Sequence, residues 1–343
     1  MTASRGKPTS SSGRRTFLRA AGTVAVAAAA GGRTTLAQRP GTQPVSFTGV
    51  ANPLEGEVEV IASGYLWTEG PVWVGDAQGH LLFSDVPGNA IYRWDGTQTT
   101  AFLAPSGYQP FPIPASLREA GSNGLALGRG GLLLADSGTR ALVRVDLETR
   151  ERTVLADGYQ GRRFNSPNDL VVARNGDIYM TDPPYGLTGI EKSPLRELPY
   201  TGVFRITPDN QVHLVADTLF PNGIALSPDD RRLYVTDMSG WVAIALDTSG
   251  TPAAPKPFVP SDTVGGARGD GMKADAAGNI WASGRGGIYV FAPDGSHIGF
   301  APIAGRVSNC AFGPDRMLYV TNDTQVVRAR IRADFPGGVG IGG

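Results

Sequence analysis

The stretch Leu132-Leu133-Leu134-Ala135-Asp136-Ser137-Gly138-Thr139-Arg140-Ala141-Leu142-Val143-Arg144-Val145-Asp146 decides the fold. An apolar run of strand length stops at a Ser-Gly turn, and an alternating strand follows, which makes the segment a β-hairpin. The same figure returns at Leu81–Asp95, at Ile178–Thr207 with an insertion, and at Leu233–Asp247, Ile280–Pro293 and Leu318–Ile331. Each hairpin follows a Gly/Asn/Asp turn and another short apolar strand, such as Gly124-Leu125-Ala126-Leu127 or Leu170-Val171-Val172. Several short strands per repeat, with a period of about 40–55 residues, is the pattern of a β-propeller blade. The expected architecture is all-β, a six-bladed β-propeller over residues 55–332. Two packed β-sandwiches are the other arrangement, but no linker marks a midpoint. The last repeat lacks an outer strand. Glu57-Val58-Glu59-Val60-Ile61 alternates as an edge strand should, so it is expected to complete that blade and close the ring, removing two open edges.

Composition fits this reading and excludes others. The 343 residues include 47 Gly and 26 Pro, a load that suits tight turns and not long helices. Lys plus Arg is 31 and Asp plus Glu is 31, so there is no basic surplus with which to collect nucleic-acid phosphates. A hydrophobic content of 41% is ample for a large core. A single cysteine, Cys310, excludes internal disulfides and thiolate zinc sites, and His80, His213 and His297 are too scattered for a histidine metal centre.

The N-terminus reads as an address. Polar residues 1–12 precede Gly13-Arg14-Arg15-Thr16-Phe17-Leu18-Arg19 and the weakly apolar run Ala20 to Ala30. Paired arginines ahead of Phe-Leu, a short apolar region and a small-residue exit are the layout of a twin-arginine export signal. Cleavage is expected after Ala37. Residues 1–37 are then signal, 38–54 linker and 333–343 a Gly-rich tail. The export machinery becomes a partner, and the mature chain is periplasmic or secreted. No stretch is long enough to span a membrane.

Aligning the start of each inner strand yields the functional signal. The residues are Glu69, Asn123, Asn168, Asn222, Asp270 and Asn309, spaced 54, 45, 54, 48 and 39 residues apart. Inner strands of a propeller line its channel, so residues at one repeat phase stand at one height around it. All six are carboxylates or amides. This oxygen-only set suits a hard cation: Ca²⁺ first, with Mg²⁺, Mn²⁺ or Zn²⁺ as alternatives. The competing explanation is that Asn-Gly and Asp-Gly pairs simply form turns. Long loops at Ala104–Ser122, Tyr185–Tyr200 and Ser261–Gly269 are expected on the same face, as pocket wall and lid.

These residues resemble the gluconolactonase, regucalcin (senescence marker protein) and luciferin-regenerating-enzyme family, and bacterial gluconolactonases most. The matching stretches are Glu69-Gly70-Pro71-Val72-Trp73, Ser166-Pro167-Asn168-Asp169-Leu170, Thr181-Asp182-Pro183-Pro184-Tyr185-Gly186, Pro221-Asn222-Gly223, Asp270-Gly271-Met272 and Asn309-Cys310-Ala311-Phe312-Gly313. The resemblance implies a six-bladed propeller with a divalent cation held by Glu69, Asn222 and Asp270, and Asn168 as fourth ligand or substrate contact. It implies Asp270 as general base. Regucalcin has a substrate-contacting arginine where this chain has Ser166, and Arg163 is the nearby candidate to replace it. Asn123, Asn309 and Tyr185 complete the expected substrate contacts. The implied activity is metal-dependent hydrolysis of a sugar or other small lactone, with water activated by Asp270. Alternatives are a phosphotriesterase or other esterase on the same metal site, and a non-catalytic Ca²⁺-stabilised binding propeller. No G-x-S-x-G elbow is present for a serine nucleophile.

Overall fold

The computed structural model describes residues 47–340 except Thr248. The expected signal segment, residues 38–46 of the linker and the last three residues of the tail lie outside that range. The chain is a β-propeller. Four sheets have four strands each, in the meander order expected of blades. The first runs Thr68–Val74, His80–Asp85, Ala90–Trp94, Thr99–Leu103. The next three begin at Ser122–Gly128, Leu170–Val172 and Ile224–Leu226. A two-stranded ribbon, Gly158–Tyr159 with Arg162–Arg163, sits outside them. No helix among the described residues is long and apolar enough to cross a membrane.

The remaining strands correct the expected blade count. Counted as hydrogen-bonded sheets, the described residues make five blades, not six, because the last two repeats share one six-stranded sheet. The cause is the strand His297–Phe312, which runs unbroken for 16 residues. Its first half pairs with Ile280–Phe291 (Ile288 opposite Ala301), and its second half pairs with Met317–Asn322 (Cys310 opposite Val320). The inner segments of the six repeats still neighbour one another in a closed circle. Six apolar clusters fill the spaces between consecutive repeats, such as Leu82 and Ile91 against Leu125, Leu134 and Val143. Each fully buried Leu, Ile or Phe in them contributes about 1.5–3 kcal/mol.

Ring closure is as expected. Leu54–Ser63 pairs antiparallel with Gln325–Ile331, so an N-terminal strand supplies the outer edge of the C-terminal repeat. The flanks, however, are more structured than a linker and a tail. Phe47 packs edge-on against Tyr289, His297 and Phe300, and Ala51 bridges Gly299. Phe335 is buried against Trp281, and Gly338 donates its N–H to Asp275.

Candidate active site

The polar residues of the inner strands collect at one end of the channel. Glu69 and Asn123 are second in their strands; Asn168, Asn222 and Asp270 each stand two residues before theirs. Backbone bonds stitch neighbouring repeats at this level. The N–H of Gly124 donates to the Asn168 carbonyl (2.7 Å), that of Gly223 to Asp270 (3.0 Å) and that of Gly271 to Ser308 (2.6 Å). Hydroxyls at the ends of the second strands add a belt: Ser84 donates to the Asn123 carbonyl, Thr181 to Asn222 and Thr236 to Asp270. Ser137 donates to the Pro167 carbonyl, Ser283 to Ser308 and Ser308 to Thr68, which completes the circle.

This packing explains the glycines that follow ring residues. A Cβ on Gly124, Gly223 or Gly271 would collide with the neighbouring repeat's Asp169, Asp270 or Asn309. The Asn-Gly and Asp-Gly pairs are therefore sites of close strand approach, and the turn explanation does not account for them.

Electrostatics single out two of the six. Glu69 is buried, and its Oε2 accepts from the Gly70 N–H (2.9 Å) and from Asn309 Nδ2 (3.3 Å). Burial, then the charges of Asp270 and Asp169, hold its carboxyl well above the usual range. Burial pushes Asp270 up to about 8, with Asp169 and Glu119 adding to the rise and a hydrogen bond from Asn222 opposing it. A third acid, Asp169, has a cation of its own. Lys273 Nζ lies 4.0 Å from its Oδ2, and donates to Asn309 Oδ1 (3.3 Å) and to the Met272 carbonyl (3.1 Å). Among the described residues, the ion pair of this cluster is Lys273 with Asp169, and Glu69 and Asp270 lack one.

The two uncompensated carboxylates, with the amides of Asn168 and Asn222, fit a hard divalent cation: oxygen donors only, buried or half-buried, and short of positive charge. No group of three His, Cys, Asp or Glu among the described residues is arranged as a metal site, so the amides are needed to complete the set. Asn309 has another task. Its Nδ2 bridges Glu69 and Asp169, and its Oδ1 accepts from Lys273 and the Cys310 N–H. With both ends of its amide engaged, it positions Glu69 where sequence reading expected a substrate contact.

Two of the long loops are zipped together at this end. The N–H groups of Arg118 and Glu119 both donate to the Gly186 carbonyl (2.8 and 3.2 Å), Thr188 N–H to Ser116, and Leu117 bridges Leu187. Gly186 fits because a Cβ there would press on Ser166 and Ser137. Ser166 earns its place as an anchor: its hydroxyl accepts from the Gly186 N–H and donates to the Pro183 carbonyl. Tyr185 packs edge-on to Phe220 (5.4 Å). Burial, then the Asp270 charge, push its hydroxyl up to about 12. Arg163 is placed elsewhere. It lies exposed on the outer ribbon, its guanidinium on the Thr139 carbonyl and its N–H on Glu197, with no described contact to the ring, so the expected substitution for the missing arginine is not made there.

Sequence reading did not assign Lys273 and Glu119. Lys273 was detectable: at its repeat phase the other five repeats of the ring carry Val72, Ala126, Val171, Ala225 and Phe312. Its partner Asp169 likewise stands where the others carry Gly70, Gly124, Gly223, Gly271 and Cys310. Glu119, on a loop with no repeat counterpart, left no signal.

Residues 67–324 match the family model described as the SMP-30/Gluconolactonase/LRE-like region. A gluconolactonase of Zymomonas mobilis is 45% identical over 296 residues, covering 80% of this chain and 81% of that one. A solved gluconolactonase structure from Xanthomonas campestris superposes with a TM-score of 0.73 at 30% identity, covering 89% and 98% of the two chains. Regucalcin of Xenopus laevis is 28% identical over 283 residues, 77% of this chain and 85% of that one.

Proposed function

The chain belongs to the SMP-30/Gluconolactonase/LRE-like family, and from that premise we propose that it is a metal-dependent lactone hydrolase acting on sugar lactones. The observation that carries the reading is the pair of uncompensated carboxylates, buried Glu69 and half-buried Asp270, at the stitched end of the channel. The gluconolactonases of Zymomonas and Xanthomonas support the choice of ester. Glu69, Asn168, Asn222 and Asp270 would hold the cation, and Ca²⁺ suits a loose cage of carboxylate and amide oxygens best. When bound, such a cation polarises a lactone carbonyl and steadies the oxygen that gains charge.

The chain's own residues do the rest. Asp270 takes the proton of the attacking water at its carboxylate. Asn222 beside that carboxylate favours its charged form, and Asn309 fixes Glu69. The loops at Ala115–Glu119 and Tyr185–Thr188 are zipped to each other beside the site, and closed over a substrate they would exclude bulk water. The six repeat phases count as six structural units even though two share a sheet, and the Arg14-Arg15 motif supports the reading that the mature protein is exported to the periplasm or exterior.

The test is hydrolysis of δ-gluconolactone by the mature protein, stripped with chelator and then given Ca²⁺, Mg²⁺, Mn²⁺ or Zn²⁺. Turnover is expected to vanish with chelator and return with Ca²⁺. Turnover that ignores chelator would reject the metal, and no turnover with any cation would reject the lactonase.

A further inference from the structure

Glu119 sits on the lid and has an unusual environment. The residue is only 7% exposed. Oε1 lies 3.7 Å from Arg118 Nη2, while Oε2 is enclosed with no hydrogen-bond partner among the described residues. Its N–H, and that of Arg118, are fixed on the Gly186 carbonyl, beside Tyr185. The Gly186 N–H in turn donates to Ser166 Oγ, two residues before Asn168, which sets the Glu119 loop beside the channel end, and the charge of Glu119 bears on Asp270 and Tyr185. Burial holds its own carboxyl above the usual range.

A buried carboxylate oxygen without a donor is the most unfavourable way to fill a seam between two loops. The seam closes through backbone bonds and the Leu117–Leu187 contact, neither of which needs an acid there. The missing partner is therefore a donor supplied from outside the chain. The candidate on the page is the substrate: a sugar lactone carries several hydroxyl donors, and an alkyl lactone carries none.

We propose that Glu119 is a specificity residue, whose Oε2 accepts a hydrogen bond from a substrate hydroxyl as the lid closes, so that the site selects polyhydroxylated lactones over unsubstituted ones. The inference rests on the lactonase reading above and names its substrate class. In this conformation Oε2 is closed to solvent, so substrate enters with the loops parted and completes the hydrogen bond on closure. A site built around a substrate hydroxyl rejects the analogue lacking it strongly, because the buried acceptor is then left unpaired.

The experiment compares kcat/KM for δ-gluconolactone and δ-valerolactone in the Ca²⁺-loaded protein and in Glu119→Gln and Glu119→Leu. Both variants are expected to lose tenfold or more on δ-gluconolactone and to stay within twofold on δ-valerolactone. Melting temperature should hold or rise in Glu119→Leu, since an unpaired buried acid has been removed. Equal losses on both lactones, or no loss on either, would overturn the proposal. A second arm needs no turnover: binding of D-glucitol, a polyol without an ester, read by calorimetry, should weaken about tenfold in Glu119→Leu, and unchanged binding would overturn the proposal independently. Failure of the wild-type protein to hydrolyse either lactone would instead reject the lactonase reading, while the polyol arm still decides whether Glu119 reads hydroxyls.

Discussion

One set of inner strands makes both ends of the channel, and the ends have opposite chemistry. At one end the strands begin with Glu69 and Asn168, both buried, and with Asn222 and Asp270, half-buried, in a cluster short of positive charge. A few residues further along, the same strands contribute Val72, Leu127, Val172, Leu226 and Phe312 to a cavity of about 720 Å³ at the other end. Lys273 stands at the boundary: its stem lines the apolar cavity and its ammonium holds Asp169 and Asn309. The difference separates tasks. The polar end sacrifices stability to keep two carboxylates uncompensated, and the apolar end and the spaces between repeats hold the ring rigid enough to keep them so.

The comparison predicts its largest break at Asp270. Asp270→Asn keeps the shape and removes both a charge and the proposed base. Turnover of δ-gluconolactone is expected to fall by about 10³-fold, while the cation-free variant melts higher than wild type at pH 8 because a repelled charge is gone. A variant that stays within threefold of wild-type kcat would remove Asp270 from the chemistry. The opposite result is expected at Leu125, which is buried between the first two repeats. Leu125→Ala should lower stability by about 2–5 kcal/mol in denaturant melts and leave kcat/KM of the folded fraction unchanged. If activity followed stability there, the two ends would not be separate.

Asn309 tests the support of the polar end. It touches Glu69 and relays Lys273 to it. Asn309→Ala is expected to weaken Ca²⁺ by about 10–100-fold, read by calorimetry, with a smaller change in kcat at saturating Ca²⁺. A loss confined to kcat would mean that Asn309 meets substrate after all.

The same contrast explains what could be read before the structure. Hairpins recur because each repeat solves one packing problem, and residues of one phase must share a height, so Glu69, Asn222 and Asp270 announced themselves by position. The merged sheet did not, because whether Ile303–Val307 turns or runs straight between repeats is a matter of a few backbone angles that no residue there dictates. Residues that compensate a local departure, as Lys273 does Asp169, are visible only when each phase is scanned for exceptions. Glu119 is invisible to any periodic reading, because a lid loop answers to the ligand and not to the ring.

The smallest effect sharpens the comparison most, because it reports the polar end alone. With Asp270 raised to about 8, the cation-free fold keeps a proton there that the unfolded chain releases near its ordinary value of about 4. Between those limits the native state binds more protons than the unfolded one, so the stability of the cation-free protein declines as pH rises through the window. A divalent cation replaces that proton, so its stabilising effect should be slight at pH 5 and grow toward pH 8, by about 1 kcal/mol per pH unit for one displaced proton. Melting temperatures from pH 5 to 9, with chelator and with millimolar Ca²⁺, measure the gap directly, and Leu125→Ala should show the same gap at every pH despite its lower stability. A Ca²⁺ increment that is flat across this range in wild type would place the bound cation away from Glu69 and Asp270, and the polar end of the channel would then be only the stitched seam between repeats.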